Sequence, residues 1–278
     1  MRTQRLYRTA AVVLRRQDFG EADRILTLYS PTIGKFRAIA KGTRRPKSRL
    51  GGHVELFTQV NVLVAQGRNL DIVTQAEAVR PFHGIRDDLW KAAYASYAAE
   101  LVDRFTEERL ENAAIFDLLL NVFERIDALP AVAHPDEVRE SAAGEASEAM
   151  ELCARNFEVR LLGHLGYGPE LTNCTTCGRR LAVEENRFSP NEGGVLCATC
   201  GSVRPSARQI SVNAIKALRL MSREPFGVYQ RLHLTSDVSQ EIASALRAHI
   251  NFILEKQLRT SEFLDRMKAD YRRALVGA

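Results

Sequence analysis

Four of the five cysteines fall in two Cys-x-x-Cys pairs, Cys174-Thr-Thr-Cys177 and Cys197-Ala-Thr-Cys200, with 19 residues between them. Each pair can form a knuckle that holds two thiolates about 3.5–4 Å apart, and two knuckles complete the tetrahedral sulfur shell that Zn²⁺ prefers. Gly178 and Gly201 follow the second cysteine of each pair, where the backbone must turn so that N–H groups can face the sulfurs. Four protein ligands leave no position for water, so the expected role of one Zn²⁺ on Cys174, Cys177, Cys197 and Cys200 is structural, not catalytic. In a cytoplasmic chain, such pairs read as metal ligands before disulfides. The competing readings are buried thiols or an iron–sulfur site, and nothing else in the chain resembles redox chemistry. Cys153 lies within a helical pattern and is expected in a core.

The second concentration of chemistry is cationic. No acidic residue occurs between Arg24 and Val54, and that window holds Lys35, Arg37, Lys41, Arg44, Arg45, Lys47 and Arg49, seven cations in fifteen residues. The tract Lys41-Gly-Thr-Arg-Arg-Pro-Lys-Ser-Arg49 carries Gly and Pro, so it reads as a loop. Cations and hydroxyls on a loop can follow a phosphodiester backbone, each contact releasing counterions. Phe19, Tyr29, Phe36 and Phe57 could stack bases, although most such aromatics belong to a core. A basic run can also be a plain solvated face.

Other chemistries fit less well. His53-Val-Glu55 is an H-x-E triplet of the kind nucleobase deaminases pair with P-C-x-x-C, but residue 173 is Asn and His53 is expected to open a strand. Gly34-Lys35 lacks the remaining residues of a phosphate loop, and Gly163-His-Leu-Gly166-Tyr-Gly168 ends a helix instead of opening one. No acid/base pair is evident among the carboxylates, the histidines are scattered, and Trp90 reads as a helical core anchor. The chain is expected not to be an enzyme.

These groups need a frame of 278 residues, 45% hydrophobic and 26% charged, an ordinary globular composition. No apolar run approaches the length of a membrane span, no secretory signal is evident and no repeat is seen. Residues 1–80 hold 15 Lys and Arg against 6 Asp and Glu, whereas the remainder holds 24 against 28, so a polyanion is expected to bind at the front. Strand patterns run over Ala10–Leu14, Arg24–Tyr29, Lys35–Lys41, Leu56–Val64 and, after a Gln66-Gly-Arg-Asn69 turn, Leu70–Ala76. Five strands with no intervening helix suit a small closed barrel of the SH3 or OB type. Helical spacing follows over Asp88–Phe105, Ile115–Ile126, Met150–Leu165, Ser206–Met221 and Val238–Leu258. Residues 130–147, rich in Pro, Ala, Glu and Ser, show no core-forming pattern and are expected to be mobile. The resulting fold class is α+β and multidomain: a five-stranded barrel over 1–80, an α-helical domain over 81–172 and 205–278, and an inserted four-cysteine zinc knob over 173–204.

The stretch Asp18-Phe-Gly-Glu-Ala-Asp-Arg-Ile-Leu-Thr-Leu28, with Gly34-Lys35 and Ala40-Lys-Gly-Thr-Arg-Arg-Pro-Lys-Ser-Arg49, resembles the N-terminal signature of the bacterial RecO recombination-repair family. Leu165-Gly-Tyr-Gly-Pro-Glu-Leu171 running into Cys174-Thr-Thr-Cys-Gly178 resembles it too, and the order of parts agrees over nearly the whole chain. The stretch 130–147 matches no family motif. The resemblance implies an OB barrel that binds single- and double-stranded DNA, annealing of complementary strands, and action with RecR and single-strand binding protein (SSB) to load RecA. It also suggests that the acidic C-terminal tail of SSB docks on the helical domain, and it implies a cytoplasmic, nucleoid-associated protein. The runner-up is a zinc-ribbon and OB-fold RNA-binding accessory factor or RNA-modifying enzyme. A zinc-ribbon transcription regulator would need a recognition helix that the sequence does not display.

Overall fold

The computed structural model describes residues 6–132, 140–223 and 232–276. The chain divides into two compact units, residues 1–139 with 263–278, and residues 140–262.

The first unit is built on β1 (Leu6–Phe19), β2 (Asp23–Ser30), β3 (Gly34–Ala40), β4 (Gln59–Ala65) and β5 (Asp71–Arg80). They close into a barrel in the order β1-β2-β3-β5-β4, with β4 returning to β1. All neighbours are antiparallel except β3 and β5, which run parallel through Ala38–Asp71, Ile39–Ile72 and Ala40–Val73. This is the five-stranded OB-type arrangement. The expected alternation holds: Phe36, Ala38 and Ala40 point inward with Leu26, Leu28, Val60, Val62 and Val64, while Arg37 is exposed. Strands β1, β2 and β5 are longer than the sequence suggests, β3 is shifted by one residue, and β4 starts only at Gln59, which leaves Leu56 outside it. One feature of β1 breaks its period. A β-bulge between Val13 and Arg15 leaves Val12, Val13 and Leu14 all buried and turns Arg15, Gln17 and Phe19 outward. Without the extra residue, the alternation that buries Ala11 and Val13 would aim all three into the barrel.

Helices α1 (His83–Asp87), α2 (Leu89–Phe105) and α3 (Ala113–Ala128) pack in the same unit as the barrel. Asp88 and Asn112 cap α2 and α3 by accepting from the backbone N–H of Lys91 and Ile115. The seam is aromatic: the fully buried Phe123 ring of α3 meets Phe57 edge-on at 5.5 Å and Phe82 at 5.9 Å. This seam explains why the helices expected as one domain over 81–172 and 205–278 fall into both units. His53 does not open a strand; it sits in a 3-10 turn, Gly51–His53, where Nδ1 accepts from the Ala78 N–H at 3.2 Å. Trp90 is half-buried, not a core anchor, and packs edge-on against Tyr271 of α8 (Arg259–Val276) at 5.5 Å.

In the second unit, α4 (Glu140–His164), α6 (Val212–Arg223) and α7 (Ser236–Leu254) pack on one another. Between α4 and α6 lie β6 (Asn186–Ser189), β7 (Gly194–Leu196), α5 (Ala198–Ser202) and β8 (Arg208–Ile210), the strands forming a small sheet in the order β7-β6-β8. Of the stretch 130–147, residues 133–139 lie outside the described residues and 140–147 belong to α4, since Ala- and Glu-rich sequence favours helix even where it lacks a core pattern. Residues 208–210 are strand, not the start of a helix, and the expected 238–258 helix ends at Leu254, before α8 begins.

Candidate metal centre and nucleic-acid interface

The four sulfurs of Cys174, Cys177, Cys197 and Cys200 all lie within 4.8 Å of one another, and Cys177 Sγ stands 4.0 Å from Cys197 Sγ. Bonds of about 2.3 Å in a tetrahedron place sulfurs just under 4 Å apart, so the donor set and spacing fit one Zn²⁺. The first knuckle is a turn in which the Gly178 N–H donates to the Cys174 carbonyl at 2.9 Å, with Gly178 at φ +72°. The second is helical: Cys197 precedes α5, and the Gly201 N–H donates to the Cys197 carbonyl at 2.8 Å. Gly201 serves there by its small size, since a Cβ would stand 2.9 Å from the Arg187 side chain. The Thr175 N–H donates to the Val195 carbonyl at 3.1 Å and fastens the first knuckle to β7.

The surroundings favour thiolate. Arg179 Nε lies 3.5 Å from Cys177 Sγ and its Nη2 3.9 Å from Cys197 Sγ. That guanidinium, helped by backbone N–H, brings Cys177 down to about 6. Burial opposes ionisation of Cys174, but N–H groups of Cys177, Cys197 and Thr176 outweigh it and lower the thiol. Cys200, hydrogen-bonded to Cys197 and partly desolvated, moves up to about 12, as expected of the last thiol to ionise in a crowded set without a cation. The site can hold a metal ion. It contains no histidine, and the H-x-E reading of His53 has no counterpart in it.

The cationic residues of the barrel divide into two sets. Lys35 is half-buried on β3, its Nζ 3.4 Å from Asp103 Oδ1 and also donating to the Asp103 carbonyl. Arg44 reaches back to the β1–β2 turn, with Nε 3.6 Å from Asp18 Oδ2 and Nη1 3.4 Å from the Gly20 carbonyl. Arg37, Lys41, Arg45, Lys47 and Arg49 are exposed, with no carboxylate within ion-pair distance among the described residues. The 41–49 loop is ordered by the Asp23 carboxylate of β2 and by its own Thr43 and Ser48 hydroxyls. Asp23 Oδ1 accepts from the Gly42 N–H at 2.8 Å, the buried Thr43 hydroxyl donates to the Ala40 carbonyl, and Ser48 Oγ accepts from the N–H of Leu50 and Gly51. A loop held this way has less conformational entropy to lose on binding a ligand than an unconstrained one.

A cleft of about 250 Å³ opens on the outer face of β1-β2-β3, lined by Arg15, Gln17, Ile25, Thr27, Lys35 and Arg37, with Asp103 and Glu108 on its wall. Arg15 was not singled out by sequence, because only the bulge brings it to this face. Arg16 and Arg24 share Glu55, and Arg24 also pairs with Asp18, so both are engaged by carboxylates. Of the four aromatics considered for stacking, Tyr29, Phe36 and Phe57 are buried and Phe19 is exposed.

A family model described as "Recombination protein O N terminal" matches residues 1–82, and "Recombination protein O C terminal" matches 86–138 and 143–262. Among curated proteins, a "DNA repair protein RecO" from Roseiflexus sp. strain RS-1 is 40% identical over 261 residues, covering 94% of this chain and 86% of the relative. One from Dehalococcoides mccartyi is 36% identical over 93% of this chain and 95% of its own length. One from Symbiobacterium thermophilum is 34% identical over 95% and 98%. These relatives are named for DNA repair, which leaves the RNA-binding reading unsupported. No helix among the described residues is long and apolar enough to cross a membrane.

Proposed function

This chain belongs to the RecO family of DNA repair proteins, and from that premise we propose that it binds single- and double-stranded DNA through the barrel, anneals complementary strands, and acts without catalysis as a recombination mediator. The observation that carries the reading is the ordered 41–49 loop, which displays Lys41, Arg45, Lys47 and Arg49 without carboxylate partners among the described residues. Arg37 and Arg15 continue the cationic track into the barrel cleft. Arg44 anchors the loop, and Lys35 spends its charge on Asp103 while remaining on the same face. A track of unpaired cations gains most from counterion release and reads backbone in place of sequence, as annealing of arbitrary strands requires.

RecR and SSB are the proposed partners, with RecA loaded onto SSB-coated DNA as the outcome, in a cytoplasmic, nucleoid-associated setting. The acidic SSB tail fits the second unit better than the cation track, because it leaves the track free for DNA. There Leu181, Val183, Val212 and Ile215 line an apolar depression with Lys216 and Arg219 beside it, a combination suited to a short segment ending in an apolar residue and a carboxylate. One structural Zn²⁺ on the four cysteines completes the reading, holding the knob folded.

The experiment is annealing of SSB-coated complementary oligonucleotides. The protein should accelerate it, and the acceleration should fall when the loop cations are removed. An annealing rate indifferent to the protein would overturn the reading.

A further inference from the structure

Strand register lays out the barrel's outer face in rows. Arg15 stands opposite Thr27 and Thr27 opposite Arg37; Gln17 stands opposite Ile25 and Ile25 opposite Ile39; Phe19 stands opposite Asp23. The bulge in β1 puts Arg15, Gln17 and Phe19 on this one face. Four residues of strand, about 13 Å at 3.3 Å each, separate the cations of the first row from the Phe19 ring. Phe19 is 51% exposed, whereas the neighbouring barrel aromatics Tyr29, Phe36 and Phe57 are at most 4% exposed. An exposed phenyl group on a hairpin tip stabilises nothing in the barrel core, and its surroundings are not a loose end. The Arg44 N–H donates to the Ala22 carbonyl at 3.0 Å, and the Arg44 side chain bonds Gly20 and Asp18, so the tip that carries Phe19 and the 41–49 loop are joined. Of the three acids within four residues of the ring, Asp18 is committed to Arg24 and Arg44 and Asp23 to the Gly42 N–H, while Glu21 is exposed in the turn that follows.

We propose that Phe19 is a base-stacking residue: it takes one unpaired base of a single strand whose phosphates run along the 41–49 loop, and so makes the barrel prefer unpaired over paired DNA. This rests on the reading of the barrel as the DNA interface. Every base has a π-face, so stacking on Phe19 is indifferent to sequence, whereas a base inside a duplex is already stacked and offers nothing to the ring. The cations hold the backbone of either form.

The test compares the full-length protein with Phe19→Ala and Phe19→Tyr on labelled oligothymidylate, on the same oligonucleotide with abasic sites, and on a duplex. Phe19→Ala should bind oligothymidylate about 5- to 150-fold more weakly, the range for loss of one stacked base. The slope of log K against log salt should stay unchanged, and Phe19→Tyr should bind as the parent does. On the abasic strand and the duplex, Phe19→Ala and parent should bind alike. If the parent binds oligothymidylate in a salt-dependent manner and Phe19→Ala matches it, the stacking role is wrong and the ring serves another contact, such as a protein partner. If the parent shows no salt-dependent binding at all, the barrel interface itself fails, and the stacking role fails with it.

Discussion

Arg109 Nη2 donates to Asp71 Oδ2 at 2.7 Å, joining the segment that follows α2 to the first residue of β5. Asp71 is the pivot of the barrel's closure. It stands in the parallel β3–β5 register opposite Ala38, its Oδ2 also accepts from the Tyr7 hydroxyl of β1, and its Oδ1 accepts from the Gly67 N–H. Arg109 adopts φ +60°, and its N–H donates to the Lys35 carbonyl at 2.7 Å, so the same residue pins the post-α2 segment to β3. The closeness of that approach is set by Gly34, where any Cβ would meet the Leu110 carbonyl at 2.0 Å.

This junction gives a pH-dependent contribution to stability. Burial opposes ionisation of Asp71, yet bonds from Tyr7, Arg109 and Gly67 hold its carboxyl below the ordinary 3.8. A depressed folded-state value stabilises the fold above the unfolded value, and that contribution is lost as pH falls through the folded one. Asp71→Asn should cost about 1–3 kcal/mol at neutral pH, the range for leaving buried donors poorly matched. In denaturant titrations the gap between parent and variant should be constant above pH 5 and close as pH drops below about 3.8. A gap that persists in acid would assign the effect to packing.

The aromatic seam makes a second prediction. Phe57 and Phe82 hold φ of +66° and +46°, in the left-handed region, and both pack on Phe123. Phe123→Ala should lower stability by about 3–5 kcal/mol, as for other buried phenylalanines. Because two strained residues lean on that ring, its loss should also make the Phe57 segment the first cleaved in limited proteolysis.

A third prediction concerns the cysteines. Elemental analysis should find one zinc per chain in the parent and none in Cys174→Ser, with the knob destabilised and binding of oligonucleotide to the barrel retained. Arg179→Ala should keep the metal but bind it about 10- to 100-fold more weakly, as for loss of an outer-shell partner, since the guanidinium offsets the charge of four thiolates. A parent chain without metal would refute the centre.

How much of this was legible depends on how each feature writes itself into sequence. The four-cysteine set needs only spacing, and the four sulfurs do converge. The β3 alternation of Phe36, Ala38 and Ala40 against Arg37 is a period-2 signal that nothing local can disguise. The bulge left no trace, because Val12, Val13 and Leu14 are all apolar and hide the change of phase that exposes Phe19. The strands β6, β7 and β8 have three or four residues each, too short for periodicity, and their pairing comes from the knob's tertiary bonds. Helix α8 is dominated by charge, with Leu264 its buried anchor, so its pattern reads as solvated chain. Charge density found the basic loop but not its division of labour, since the engagement of Lys35 by Asp103 is a contact 68 residues apart.

That division supplies the last prediction. On single strands, each phosphate contact contributes about 0.7 to the slope of log K against log salt. Arg45 and Lys47 are exposed without carboxylate partners among the described residues, so a double change to alanine should flatten the slope by roughly 1.4 and weaken all sequences equally. Lys35→Ala should leave the slope nearly intact, because its ammonium is already neutralised by Asp103 and releases few counterions when DNA arrives. Arg44→Ala lies between: its charge is shared with Asp18, and removing it frees the loop from the hairpin, so affinity should fall more than the slope does. Annealing should follow the slope, being lost with Arg45 and Lys47 and kept with Lys35, because the free cations must screen two backbones as they approach. Equal slopes for all three variants would mean that the loop serves solubility and that DNA takes another path.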